Sequence, residues 1–324
     1  MNLKKFLFRH SAVIITYTAA FSLLMFVSVA RPGYSSLKNL NILSVTAAIL
    51  GFTVLGQTFV ILTGGMDLSI PWMFALSAFL MASLTNGKNE PLYYVIPLVL
   101  LVGAGMGFVN GFGVAYIGVA PVIMTMSTNI IFQGLLLGFT GGMPGGKAPD
   151  ALRTLANGTT GGLSTLFLLW LLISAAGLLV FYKTPFGRNI YAVGCNEKVA
   201  LFSGINVKRT RLAAYSICGL TAALGGILYS GRLGQLYLGM GDTYQMQSVA
   251  AAAIGGISLA GGKGSYVGAV AGVLILVILD GFLSAMNIPP SVQKIVYGGA
   301  LFMAVFLSAR EYREKIPKGQ AERI

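Results

Sequence analysis

The chain has 324 residues, of which 56% are hydrophobic and only 10% charged, and its mean hydropathy is +0.79. A soluble domain carries roughly 25% charged residues, so this composition excludes a soluble fold and predicts an all-α polytopic membrane protein. The net charge of +13 at first suggests a protein that binds nucleic acid, but whether it does depends on where the charges lie along the chain. Two cysteines, Cys195 and Cys218, are too few for a disulfide framework or a cysteine metal site.

The apolar stretches predict about ten membrane spans, since a helix needs about 20 apolar residues to cross the hydrocarbon core. The third and eighth spans are short. The first begins after Lys4 and Lys5 and resembles a signal peptide, but its apolar run is too long, so an uncleaved helix is favoured. In chain order the spans are 11–30, 40–63, 70–86, 92–117, 121–140, 163–182, 211–232, 244–258, 266–286 and 292–309.

The positive charges fit this topology. With both termini in the cytoplasm, 15 of the 22 Lys and Arg residues fall inside and 7 outside, as the positive-inside rule requires. The excess of positive charge therefore indicates orientation, and we expect membrane lipid and no nucleic acid as a partner. No charged or Ser-rich linker divides the chain, so 1–324 is predicted to be a single transmembrane domain.

The residues for catalysis are missing. The single histidine, His10, excludes histidine-based metal sites and Ser-His-Asp triads, and no complete phosphate loop is present. We therefore expect no enzyme activity and no cofactor. Asp280 falls within the ninth predicted span, and an ionisable residue there leaves an ion-coupled secondary transporter as an alternative. A hydrogen-bonded Asp280 between helices near the outer interface is favoured.

Two glycine-containing breaks interrupt the apolar pattern on the same side. One interpretation is a tight turn, with Asp67 or Ser69 capping the next helix and Pro71 in its first turn. The other is a pair of breaks at membrane depth that line a pathway. The two interpretations stay open, and the candidate pathway or break-lining residues are Gly64, Gly65, Asp67, Ser69, Trp72, Gly255, Gly256 and Ser258.

Two polar stretches lie between spans. The outer loop, about 141–162, is either a rim for an external partner or a mobile loop. The inner stretch, about 183–211, contains a predicted short helix over 196–203, capped by Asn196 and closed by Gly204. Its exposed apolar residues indicate either a helix lying against lipid headgroups or a docking element for a cytoplasmic protein.

Small residues recur at a spacing of four in several spans. Such faces let helix backbones approach closely, so they predict tight internal packing. They are Gly103, Gly107 and Gly111; Gly134 and Gly138; and Gly268 and Gly272.

Three segments resemble the permease subunits of ribose-type ABC importers. The first is Ile61-Leu62-Thr63-Gly64-Gly65-Met66-Asp67-Leu68-Ser69, and the second runs from Thr184-Pro185-Phe186-Gly187-Arg188 through Asn196-Glu197 to Ser203-Gly204-Ile205-Asn206-Val207. The third runs through 250–256, Ser258-Leu259, Gly261-Gly262 and Gly264-Ser265. The matches stand in the family's order and cover about 40–309.

This resemblance implies a permease of the vitamin-B12-transporter type (type II), with about ten helices per subunit, in a bacterial inner membrane. It implies three protein partners: a cytoplasmic ATPase with tandem nucleotide-binding domains, a periplasmic or lipid-anchored sugar-binding protein, and a second permease subunit. The residues matching the family's coupling helix to the ATPase are Asn196, Glu197, Val199, Ala200, Phe202, Ser203 and Gly204.

One departure concerns the substrate. The family continues its Asp-Leu-Ser motif with small residues, whereas here Ile70-Pro71-Trp72-Met73 follows, so Trp72 is expected to change the shape of that region. Pentoses, hexoses, furanoses, a sugar-like signalling molecule and nucleosides stay open, as does the choice between a homodimer and a heterodimer. The remaining alternatives are a passive channel and an ABC permease for branched-chain amino acids.

Overall fold

The structure, a computed structural model, describes residues 11–143, 145–289, 291–299, 302–303 and 306. Its helices are α1 (Ser11–Ala30), α2 (Leu37–Leu62), α3 (Ile70–Thr85), α4 (Leu92–Phe112) with a π-helical turn (Gly113–Ile117), α5 (Pro121–Thr140), α6 (Asp150–Asn157), α7 (Thr165–Lys183), α8 (Pro185–Cys195), α9 (Glu197–Phe202), α10 (Val207–Leu233), α11 (Asp242–Ile254) and α12 (Tyr266–Ala285). Residues 291–299 are also helical. One antiparallel hairpin pairs β1 (Thr159–Thr160) with β2 (Leu163–Ser164).

Seven helices of the described residues are long and apolar enough to cross a membrane: α1, α2, α4 with its π-helical turn, α5, α7, α10 and α12. The multi-pass membrane character is therefore confirmed. Helices α3 and α11, with 16 and 13 residues, match the two short predicted spans and are shorter than a full crossing. The tenth predicted span begins in the helical residues 291–299 and ends outside the continuously described part, so the count of ten stays a prediction.

Helix α2 lies at the centre of the bundle, and its side chains from Val45 onward are almost all buried. Helices α7, α10, α11 and α12 surround it, and α10 also packs on α3 and α4. Close packing depends on glycine: a Cβ atom on Gly107 of α4 would overlap the Tyr215 carbonyl oxygen of α10. Similarly, a Cβ on Gly272 of α12 would overlap the Ala251 carbonyl oxygen of α11.

The small-residue pair on α5 is not packed against another helix in this way. Apart from the chain neighbours and the backbone of α5 itself, no described residue comes within 4 Å of the position that a Cβ would occupy on Gly134 or on Gly138. The α5 surface around them is apolar and exposed. Internal packing therefore explains two of the three predicted small-residue faces and leaves the α5 pair open within this chain.

The predicted loop over 141–162 contains α6 and the first strand of the β-hairpin, and it is tied to the helical bundle. Leu152 of α6 is buried against Gly231 of α10, and the Asn157 amide donates to the Gly231 carbonyl oxygen at 3.2 Å. At the other end of the segment, the Gly87 amide donates to the Lys147 carbonyl oxygen at 2.8 Å. The segment is therefore attached to α10 through α6 and to the end of α3 through Lys147.

Asp280 lies near the end of α12. Tyr297, from the helical residues 291–299, donates a hydrogen bond from its hydroxyl to Asp280 Oδ1. The carboxyl thus joins two neighbouring helical segments, the arrangement that the sequence favours for it.

Candidate functional site

The first break connects α2 to α3 through a short extended segment. Gly64 ends α2 in a left-handed conformation, with φ of +81°. Asp67 Oδ1 then accepts two hydrogen bonds from Ser69, from the backbone amide at 2.9 Å and from Oγ at 2.7 Å. Ser69 precedes α3, but its hydroxyl does not cap that helix. The local turn is therefore built by Asp67, and Pro71 in the first turn of α3 completes it.

A buried polar network holds this turn against two other helices. Asn110 of α4 donates from Nδ2 to Ser69 Oγ at 2.7 Å and to Asp67 Oδ2 at 3.3 Å. Thr128 of α5 donates to Asn110 Oδ1 at 2.6 Å. Asp67, Ser69 and Asn110 are all 0% exposed, so the network is shielded from solvent and from lipid.

The backbone carbonyls of the break are also bonded. Met66 O accepts from Thr125 Oγ1 of α5 at 3.3 Å and from the Tyr215 hydroxyl of α10 at 3.4 Å. Leu68 O accepts from Gln245 Nε2 of α11 at 2.8 Å. Where a helix is interrupted within the membrane, its free backbone carbonyl and amide groups must be hydrogen-bonded by other protein groups in this way. Four helices, α4, α5, α10 and α11, therefore fix the first break.

The second break follows α11 and meets the first. Gly256 has a φ of +84°, and the Ser258 amide donates to the Lys263 carbonyl oxygen at 3.0 Å, which closes a small loop. The Gly262 amide donates to the Leu62 carbonyl oxygen at the end of α2, at 3.0 Å. The two glycine breaks are therefore in direct backbone contact at one end of the bundle.

Helix α8 forms the third part of this junction. A Cβ on Gly194 would overlap the Leu62 carbonyl oxygen and lie 2.5 Å from the Gly262 nitrogen, so only glycine fits. Tyr191 of α8 donates its hydroxyl to the Gly264 carbonyl oxygen at 3.1 Å. Burial, with a smaller contribution from Tyr182, raises the pKa of Tyr191 to about 12.

The predicted short helix at 196–203 is present as α9. Asn196 caps it by accepting from the Val199 amide at 3.1 Å, and Gly204 after it has a φ of +79°. Phe202 is 89% exposed, and Val199 and Leu201 are exposed beside it. Ala200 is different, since it is only 2% exposed and packs in a small cluster with Val193 of α8 and Val207 of α10.

A salt bridge ties α9 to α10. Arg211 Nη2 of α10 lies 2.8 Å from Glu197 Oε2 of α9. Arg211 also lines a half-open cavity of about 250 Å³ together with Gly64, Gly65 and Tyr215. One arginine therefore reaches from the exposed helix α9 to the first break.

The predicted break residues differ in accessibility. Gly64 and Gly256 are exposed and Ser258 is partly exposed, whereas Gly65 and Gly255 are buried. Trp72, expected to change the shape of this region, is buried in the main core with Met73 and Phe74. Each break thus has one exposed glycine among the predicted residues, and the Asp67 carboxyl group is buried. Sequence reasoning missed Asn110 and Thr128, because no local pattern distinguishes them from other helix residues. Gly194 lies within the second segment that resembles the permease family, but the sequence assigns it no role of its own.

Comparison with known proteins places the chain in a transport family. The family model described as "Branched-chain amino acid transport system / permease component" matches residues 39–305. The ribose import permease protein RbsC of Bacillus subtilis is 36% identical, over 91% of this chain and 92% of the relative.

Two further relatives are import permeases from Escherichia coli. The galactose/methyl galactoside import permease protein MglC is 32% identical over 92% of this chain and 94% of its own. The xylose transport system permease protein XylH is 30% identical over 93% of this chain and 92% of its own. No solved structure matches the chain significantly. The chain therefore belongs to this permease family and, as its motifs indicate, to the ribose-type import permeases within it.

Proposed function

We propose that the chain is the transmembrane subunit of an ABC importer and forms the translocation pathway for a monosaccharide. The observation that carries this proposal is full-length similarity to permeases named for ribose, galactose and xylose. The family model carries a branched-chain amino acid description, which keeps that substrate class as the second candidate. The individual relatives favour the sugar, since they align over more than nine-tenths of the chain.

Helix α9 is the proposed docking element for a cytoplasmic ATPase with tandem nucleotide-binding domains. The exposed face of Val199, Leu201 and Phe202 offers an apolar contact of the kind that protein interfaces bury. Ala200 is buried on the inner side of the helix, where it packs against Val193 and Val207. Asn196, Ser203 and Gly204 set the ends of the helix, and Glu197 anchors it to Arg211.

The same geometry suggests how ATP hydrolysis would drive alternating access. Helix α9 follows α8 directly, and Gly194 near the end of α8 touches both glycine breaks. Arg211 makes a second connection from α9 to the cavity beside Gly64. A displacement of α9 by the ATPase would therefore move the break region through backbone contacts that leave little free space.

The other proposed partners follow from the family. A periplasmic or lipid-anchored binding protein would deliver the substrate at the outer face, and a second permease, identical or different, would complete the pathway. The proposed location is a bacterial inner membrane with both termini in the cytoplasm. Specificity would then rest mainly on the binding protein, with this chain supplying a weakly polar path.

Purification from the native membrane tests this proposal. The full chain, tagged at its C-terminus and extracted in mild detergent, should co-purify with a stoichiometric ATPase carrying two nucleotide-binding domains, as identified by mass spectrometry. A second permease sequence in the complex would make the dimer heteromeric. A chain that purifies alone and transports in liposomes under an ion gradient would overturn the ABC assignment and direct attention to Asp280.

A further inference from the structure

Two side-chain amides in the middle of α5 have no hydrogen-bond partner among the residues that the structure describes. Asn129 and Gln133 are the ninth and thirteenth of the 20 residues of α5, one turn apart on the same face. Neither amide makes a hydrogen bond to any residue that the structure describes, although Asn129 Oδ1 is itself shielded from solvent. Both residues are partly exposed at the surface of the helix bundle.

Most of the remaining exposed α5 surface is apolar. Ile123, Ile130 and Ile131 are more than half exposed, as expected for side chains that face lipid tails. An unpaired amide in the hydrocarbon core is strongly unfavourable, because neither lipid nor neighbouring apolar groups replace the hydrogen bonds to water. Asn129 and Gln133 form a polar strip on this helix, and such a strip indicates a water-filled cavity or a polar ligand beside it.

The strip borders the network behind the first break. Thr128, next to Asn129, points inward and donates to Asn110, which in turn holds Ser69 and Asp67. These bonds fix the rotation of α5 about its axis, and hence the direction in which its next face points. The conspicuous motif residues Asp67 and Ser69 act, in this arrangement, as positioning residues for α5.

We propose that Asn129 and Gln133 form a hydroxyl-binding subsite in the translocation pathway, near the middle of the membrane. This proposal rests on the proposed sugar-import function and adds the residues that contact the sugar. A side-chain amide both donates and accepts hydrogen bonds, as a sugar hydroxyl does, so each amide can pair with a hydroxyl in either direction. Both are uncharged, which suits a site that must release its substrate.

Cysteine accessibility tests whether the strip faces water. In a Cys195→Ser background, which removes the exposed native thiol and leaves buried Cys218, the variants Asn129→Cys, Gln133→Cys and Ile130→Cys are compared. The intact importer in membrane vesicles is treated with a charged methanethiosulfonate reagent. We expect the first two variants to react at least about tenfold faster than Ile130→Cys, because thiolates form in water and not in lipid. Equal, slow reaction of all three would overturn the proposal.

Transport tests whether the strip contacts the sugar. The complete importer, with its ATPase and binding protein, is reconstituted and assayed with radiolabelled D-ribose, D-galactose and D-xylose. For the sugar that the wild type imports, Asn129→Ala and Gln133→Ala should each lower uptake about fivefold, the effect of one lost hydrogen bond, with ATP hydrolysis retained. Ser127→Ala on an exposed face of the same helix is the matched control.

The outcomes separate this proposal from the function on which it rests. Unchanged uptake in both alanine variants would overturn the subsite and leave sugar import standing. Loss of a second permease subunit from the purified variant complexes would show that the amides bind a neighbouring subunit, which also overturns the subsite. A wild-type importer that moves none of the three sugars would instead overturn the sugar assignment itself.

Discussion

At the residue scale, the conformation of the first break depends on the side chain of Asp67. It is 0% exposed and accepts hydrogen bonds from Ser69 and Asn110, so its contribution is structural within this chain. A buried polar group that loses its partners costs more than the bond itself contributes, because the remaining groups stay desolvated. Each member of the network is therefore expected to matter for stability.

Thr128→Val tests the contribution of the network to stability by removing one hydroxyl group. The substitution keeps the shape of the side chain and removes the donor to Asn110 Oδ1, so the free energy of unfolding should fall by about 1–3 kcal/mol. Asp67→Ala removes more bonds and should cost more. Thermal unfolding of the detergent-purified protein measures both.

Ser127→Ala is the matched control for Thr128→Val. Its hydroxyl is exposed and bonds only to the Ile123 carbonyl oxygen of its own helix, so the change should stay within about 0.5 kcal/mol. Equal melting temperatures for the two variants would contradict a stabilising role of the network.

At the scale of the helix, glycine on α4 sets the distance to α10. The two helices meet along Gly103, Gly107 and Gly111. Gly105 lies on the opposite side of α4, where no described residue beyond its chain neighbours and the α4 backbone comes within 4 Å of a potential Cβ. The same substitution at two neighbouring glycines should therefore have opposite consequences, since only one of them lies in the helix contact.

Gly107→Ala should destabilise the protein by about 2 kcal/mol, because the added methyl group overlaps the Tyr215 carbonyl oxygen and pushes α4 and α10 apart. Gly105→Ala should be neutral or slightly stabilising, since alanine favours the helix over glycine. Melting temperatures of the two purified variants check this directly. A cost at position 105 as large as that at 107 would mean that α4 contacts another partner there.

At the scale of the whole molecule, the Glu197–Arg211 pair connects the proposed docking helix to the break region. The Glu197 side chain is half exposed, so the pair adds little stability, roughly 0–1 kcal/mol. Its expected importance lies in transmitting the position of α9 to α10. Stability and transport should therefore respond differently when the pair is broken.

Glu197→Arg and Arg211→Glu should each lower ATP-driven uptake about tenfold in the reconstituted importer, while the melting temperature changes little. The double variant restores the attraction with its charges exchanged and should recover most of the uptake. Lys198→Glu changes the charge of α9 without breaking this pair and is the control. A double variant as impaired as either single one would contradict the role of the pair.

The sequence by itself determined the features that depend on a few consecutive residues. The apolar spans follow from hydropathy, α9 follows from the cap Asn196 and the stop Gly204, and the glycine breaks follow from their composition. The motifs also placed the chain in its permease family, which the full-length relatives confirm. These signals are local, so no knowledge of the folded chain is needed to see them.

Only the tertiary structure decided which of these segments touch. It brought Gly194 and Gly262 against the end of α2, placed Asn110 and Thr128 around Asp67, and turned Ala200 inward. These contacts join residues far apart in the chain, and nearly every helix of a membrane bundle has the same apolar composition. The choice among neighbours is made by close backbone approach and hydrogen-bond geometry, which exist only once the helices have packed.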